Sequence, residues 1–225
     1  MSYTFCDYPD RDMLAIDLAN TLASELRAQL QHEERVVFAV PGGTTPGPIF
    51  DALCATHLDW DRVDVMLTDE RWVPEDSVRS NTRLLRERLL VGPAAAATLL
   101  PLYQDGETPD MALPKLSARI ASELPMGVVL LGMGADMHTA SLFAGADRLD
   151  EALAPDAPIL LPMRAPGAPE PRITLTAPVL NGAMNKHVVI FGQDKRVALE
   201  TARHLPPHRA PIAAVLSGAT IHWAE

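Results

Sequence analysis

Three short apolar runs constrain this chain most: Val36-Val37-Phe38-Ala39-Val40, Val63-Asp64-Val65-Met66-Leu67 and Val128-Val129-Leu130-Leu131. Each has the length of a strand, and each breaks into a polar turn. Near-continuous apolar runs suit strands covered on both faces. Stretches with helical spacing lie between them, and that alternation argues for a parallel sheet flanked by helices. Leu14, Leu18, Leu22, Leu26 and Leu30 recur every four residues, with Asp17, Glu25 and Arg27 off that line, which predicts an amphipathic helix. Further helices are expected over 49–55, 81–90, 115–124 and 194–204. Residues 172–175, 187–191, 212–216 and 220–223 read as further strands. Two stretches, 91–114 and the Pro/Ala-rich 154–171, interrupt the rhythm and read as surface loops or lids rather than domain linkers. The expectation is one α/β domain over residues 1–225, built on a mainly parallel central sheet.

Bulk properties narrow the partners. The formal net charge is −10, which argues against nucleic acid and anionic membranes. It leaves room for an anionic small molecule, because a few fixed cations and backbone N–H groups reverse the sign locally. Those cations are nearly all arginine; the lysines are Lys115, Lys186 and Lys195. Cys6 and Cys54 lack metal-ligand spacing and suggest no disulfide framework. No signal-peptide pattern and no membrane-length apolar run is present, so the expected location is cytoplasmic. A monomer or small homo-oligomer is expected.

The chemistry collects at the strand ends, where open α/β sheets bind ligands. After the first run comes Pro41-Gly42-Gly43-Thr44-Thr45-Pro46. Its glycines let backbone N–H groups approach an anion, and its threonines add hydroxyl donors. It is neither a P-loop nor a dinucleotide fingerprint. After the second comes Thr68-Asp69-Glu70-Arg71-Trp72-Val73-Pro74; Arg71 is a candidate clamp for a phosphate or carboxylate. Downstream, Ser80-Asn81 reads most simply as a helix cap. The third run leads into Gly132-Met133-Gly134-Ala135-Asp136-Met137-His138-Thr139-Ala140-Ser141-Leu142-Phe143. A histidine at such a point can take and give protons near neutral pH. Ser141, expected on the same helical turn, is a lesser nucleophile candidate. Arg172, at the start of a strand, and Lys195, just after Gly192, are candidate anion ligands. His32, His57, His187, His204, His208 and His222 belong to no constellation in the sequence. No HExxH pair suggests a metal, and no GxSxG elbow suggests a serine hydrolase.

Taken in order, these motifs resemble the cytosolic, bacterial type of the 6-phosphogluconolactonase family, within the glucosamine-6-phosphate isomerase/6-phosphogluconolactonase superfamily. The Gly42 loop, the Asp69-Glu70-Arg71 segment, Ser80-Asn81 with Leu84, the 132–143 block, Arg172-Ile173-Thr174-Leu175-Thr176 and Gly192-Gln193-Asp194-Lys195 carry the likeness over about four-fifths of the chain. Asp-Glu-Arg and His-Thr-Ala-Ser-Leu-Phe are the lactonase forms; a deaminating isomerase would carry Asp-Glu-Tyr and Gly-His-Ile-Ala-Phe-Asn. The resemblance implies a modified Rossmann fold. It also implies hydrolysis of 6-phospho-D-glucono-1,5-lactone, the second step of the oxidative pentose phosphate pathway, with no metal or organic cofactor. On that reading His138, Asp136 and Arg71 are catalytic, with Arg71 open between oxyanion and phosphate. Gly42, Gly43, Thr44, Thr45, Asp69, Arg172 and Lys195 bind substrate. The alternatives are a glucosamine-6-phosphate deaminase/isomerase-like enzyme and a non-catalytic sugar-phosphate-binding regulatory module. Three positions depart from the family pattern: Pro41 replaces Ser, Met137 replaces Gly and Ala144 replaces Pro. A Gly at 137 would serve either a backbone with positive φ or close approach of substrate.

Overall fold

The computed structural model describes residues 2–225. In chain order its elements are Thr4–Asp7 (β1), Arg11–Leu30 (α1), Val36–Val40 (β2), Gly47–Leu53 (α2), Val63–Leu67 (β3), Asp69–Arg71 (β4), Asn81–Arg88 (α3), Thr98–Leu100 (β5), Pro109–Ala121 (α4), Val128–Gly132 (β6), Leu149–Leu153 (α5), Leu160–Met163 (β7), Arg172–Leu175 (β8), Ala177–Asn181 (α6), Asn185–Phe191 (β9), Gln193–Ala202 (α7) and Thr220–Ala224 (β10). Three short 3₁₀ turns complete it.

Seven strands form one sheet in the order β1-β10-β9-β6-β2-β3-β5, and every neighbouring pair in it is parallel. β2 and β3 are buried along their whole length, as strands covered on both faces must be. The polar exception, Asp64 in β3, is paired by the Arg35 guanidinium, whose Nε and Nη2 donate at 2.8 and 2.6 Å. The five leucines of α1 are all buried. This helix packs on α2 and across β10, β2 and β6.

The chain runs outward from β2 through β3 to β5, then returns to lay β6 on the other side of β2. The order therefore reverses between β2 and β6, and a crevice opens beyond their carboxyl ends. A second, three-stranded antiparallel sheet, β4-β8-β7, roofs that end. Thr68 is the hinge between the sheets. Its N–H donates to Val40 O, and its carbonyl accepts from Leu175 N. The strand thus leaves the parallel sheet and continues as β4 beside β8.

Several expectations change. Residues 212–216 are not a strand; a buried 3₁₀ turn, Pro211–Ala214, occupies that stretch. Arg172–Leu175 is a strand, but in the antiparallel sheet. The stretches 91–114 and 154–171 are not plain loops, since they contain β5, the start of α4 and β7. No helix follows His138 directly: residues 133–148 run as tight turns, with an isolated bridge between Thr139 and Leu142. Among the described residues, no helix is long and apolar enough to cross a membrane.

Candidate active site

A pocket of about 240 Å³ opens at the switch point, which suits a small polar molecule rather than a dinucleotide. The β2 loop supplies Pro41, Gly42, Gly43, Thr44, Thr45 and Pro46. Asp69 and Arg71 come from β4, His138 from the turn after β6, Arg172 from β8 and Lys195 from the first turn of α7. The positions singled out in the sequence therefore meet at one place, although 153 residues separate Gly42 from Lys195. Three cations face one pocket of a chain whose net charge is −10.

The histidine is held from one side. His138 Nδ1 lies 2.5 Å from Asp136 Oδ1, and the His138 backbone N–H also reaches that oxygen, at 3.3 Å. Burial works to raise the Asp136 carboxyl, but the hydrogen bond and charge of His138 outweigh it, and the net direction is downward. An ionised carboxylate only accepts, so Nδ1 is the donor, and in the neutral imidazole Nε2 keeps its lone pair. Gly134 makes this approach possible, because a Cβ there would collide with the imidazole and with the Asp136 carboxylate. Phe143 stacks on a face of the ring, centroid to centroid 4.3 Å, and the Arg172 guanidinium lies 5.2 Å from the Phe143 centroid.

The acidic side is more structural than the sequence suggests. Asp69 accepts a short hydrogen bond from Ser141 Oγ and lies 3.9 Å from Arg172 Nη1. Ser141 is fully buried and its hydroxyl is committed to Asp69, so it is not a nucleophile facing the pocket. Glu70 is also fully buried and takes no part in the pocket lining. Its carboxylate accepts from the backbone N–H groups of Arg71, Asn81 and Thr82 and from Thr82 Oγ1, all at 2.8 Å. Burial pushes its carboxyl up, against the lowering effect of those bonds. Arg172 is pulled below the ordinary guanidinium range, first by burial, with Asp69 holding it up and neighbouring Arg71 pressing it down.

The family described as glucosamine-6-phosphate isomerases/6-phosphogluconolactonase matches residues 9–223. The chain belongs to this family. A 6-phosphogluconolactonase of Mesorhizobium japonicum is 42% identical over 99% of this chain and 96% of its own length. One from Rhizobium meliloti is 40% identical over the whole of both chains. The crystal structure of a 6-phosphogluconolactonase from Shewanella baltica superposes with a TM-score of 0.95 at 30% identity, covering 100% of this chain and 98% of that one.

Within the glucosamine-6-phosphate isomerase/6-phosphogluconolactonase family pattern, the departure at Met137 now has a geometric meaning. Met137 has φ +66°, the left-handed region where a Gly is unstrained, and Ala140 follows with φ +48°. Asn81, read from sequence only as part of a cap, lines the pocket, and its Nδ2 donates to Asp69 O at 3.2 Å. The cap itself is Ser80, whose Oγ accepts from Arg83 N. Gly42 leaves room for that Asn81 side chain. Phe143 was quoted only as the end of a motif; its contact with the imidazole has no signature beyond its place five residues after His138. Among the described residues, no group of three or more His, Cys, Asp or Glu side chains is arranged to hold a metal ion.

Proposed function

We propose that this chain hydrolyses 6-phospho-D-glucono-1,5-lactone to 6-phosphogluconate. The observation that carries the reading is an imidazole pinned by Asp136 through Nδ1, with Nε2 free, on the rim of a pocket lined by Arg71, Arg172 and Lys195. His138 Nε2 takes a proton from water as the water oxygen adds to the lactone carbonyl. The tetrahedral intermediate collapses by breaking the bond to the ring oxygen. The imidazolium returns the proton to that oxygen, which leaves as a hydroxyl. The new carboxylic acid ionises to the product. Asp136 keeps the tautomer and stabilises the imidazolium, while proton transfer by a group such as His138 contributes about 10²–10⁴-fold.

Arg71 and Arg172 face each other in the β4–β8 ladder, so both are assigned to the phosphate, with Lys195 and the Gly42-Gly43-Thr44-Thr45 loop completing its cradle. Asp69 orients Arg172 and accepts from a sugar hydroxyl. The buried side chains of both sheets form one cluster, which supports a single catalytic domain. The cytoplasm is the proposed compartment, in keeping with the free thiols of Cys6 and Cys54.

The test compares two substrates. A lost hydrogen bond to a charged group costs roughly 1.5–3 kcal/mol, or about one to two powers of ten in binding. Arg172→Ala and Lys195→Ala should each raise KM for the phosphorylated lactone by that amount. Hydrolysis of unphosphorylated gluconolactone should change little. Equal damage on both substrates would remove these residues from the phosphate site.

A further inference from the structure

Arg71 and Arg172 are directly opposed residues of an antiparallel ladder, and both are largely buried. Like charges in that position repel. Their Nε groups are also buried without a hydrogen-bond partner. One side chain outside the pocket places a negative charge near both. Glu170 lies in the Pro-rich stretch before β8, between Pro169 and Pro171, and its carboxylate is 10% exposed. It sits 4.0 Å from Arg71 Nε and 3.9 Å from Arg172 Nη2. Arg79 holds it in a two-pronged grip, with Nη2 at 2.7 Å and Nε at 3.1 and 3.2 Å. The Arg79 carbonyl in turn accepts from Arg71 Nη1 at 2.9 Å. The segment is pinned to β4 by Trp72 N–H donating to Pro171 O at 2.8 Å.

We propose that Glu170, clamped by Arg79, is a positioning residue: the fixed counter-charge that holds Arg71 and Arg172 side by side so that both can engage one phosphate. The Arg79 hydrogen bonds and charge keep its carboxyl below the usual range, so it remains an anion in this role. The proposal rests on the assignment of these two arginines to the phosphate. It makes a prediction of unusual sign. Deleting a bystander carboxylate next to an anion site strengthens anion binding, because a repulsion is removed. Deleting a positioning carboxylate weakens it, because the arginines separate.

The experiment measures KM and kcat for the phosphorylated lactone and for unphosphorylated gluconolactone, and competitive inhibition by inorganic phosphate. The variants are Glu170→Gln, Arg79→Gln, the double variant and Arg172→Ala, each checked for folding by circular dichroism. Glu170→Gln should raise KM and the phosphate inhibition constant together, by about tenfold, the size of one charged hydrogen bond, with kcat held within about twofold. Arg79→Gln should act in the same direction, and the double variant should be no worse than Glu170→Gln, since both remove the same clamp. A lower KM in Glu170→Gln would make Glu170 a bystander and overturn the proposal. So would an unchanged KM, a loss confined to kcat, or equal loss on unphosphorylated lactone. If those results come with a strong KM effect of Arg172→Ala, the phosphate assignment survives and only the role of Glu170 falls. If Arg172→Ala leaves KM unchanged, the assignment fails and this proposal fails with it.

Discussion

At the scale of single residues, Met137 carries the clearest strain. A left-handed backbone costs a non-glycine residue roughly 1–2 kcal/mol, while glycine costs about 0.5–1 kcal/mol in unfolded-state entropy. Met137→Gly should therefore stabilise the fold by about 0.5–1 kcal/mol, read as a higher denaturation midpoint. Its side chain packs partly against the core. A loss of stability in the glycine variant would mean that this packing outweighs the strain. The Asp136–His138 pair was legible in the sequence because both residues sit in one short turn after an apolar run. Arg71, Arg172 and Lys195 were legible because each stands at an end of an expected strand or helix. His187 and His222 were not. They are 35 residues apart and meet only because β9 and β10 are neighbouring strands, His187 pairing with Thr220, two residues before His222. The reading that they belong to no constellation is corrected: Tyr8 bonds His222 Nδ1, His222 Nε2 bonds His187 Nδ1, and His187 Nε2 bonds Glu25.

At the scale of elements, the second strand-end motif does two jobs with alternate residues. Along β4, Asp69 and Arg71 face the pocket, while Glu70 points away and stitches the strand to the first turn of α3. A carboxylate at a helix N-terminus meets free N–H groups and the positive end of the dipole. Glu70→Ala would strand several buried donors at once. It should destabilise the protein by about 3 kcal/mol, measured by chemical denaturation, and lower the apparent kcat only through loss of folded protein, with KM unchanged. A change below about 1 kcal/mol would contradict the stitching role. Strands β2, β3 and β6 were readable because burial on both faces demands unbroken apolar runs. β4 and β7 were missed because three or four residues bearing charges or a proline carry no usable periodicity. Residues 212–216 misled for the opposite reason, since a short buried apolar run fits a strand and a buried helical turn equally well.

At the scale of the whole molecule, sheet order makes the site. The reversal between β2 and β6 gathers the segments that follow β2, β6 and β9, and the antiparallel sheet adds Asp69, Arg71 and Arg172. The seven-stranded sheet buries the histidine chain on its β9–β10 side. Burial, with the neighbouring His187, lowers the His222 pKa from 6.5 to about 3. The unfolded chain then binds this proton more tightly than the folded one. Stability is intact above about pH 6.5 and drains as pH falls towards 3, by at most about 1.4 kcal/mol per pH unit. Denaturation at several pH values should show that slope, and His222→Gln should flatten it; an identical slope in the variant would contradict the assignment. The central claim concerns the reaction itself. The most direct measurement is a pH-stat assay on freshly made 6-phospho-D-glucono-1,5-lactone, corrected for spontaneous hydrolysis, with the native chain and His138→Ala side by side. Turnover well above background is expected for the native chain, with a loss of about 10²–10⁴-fold in a variant that keeps its circular dichroism spectrum. A native rate no faster than the spontaneous one, or a folded His138→Ala variant with near-full turnover, would contradict that claim.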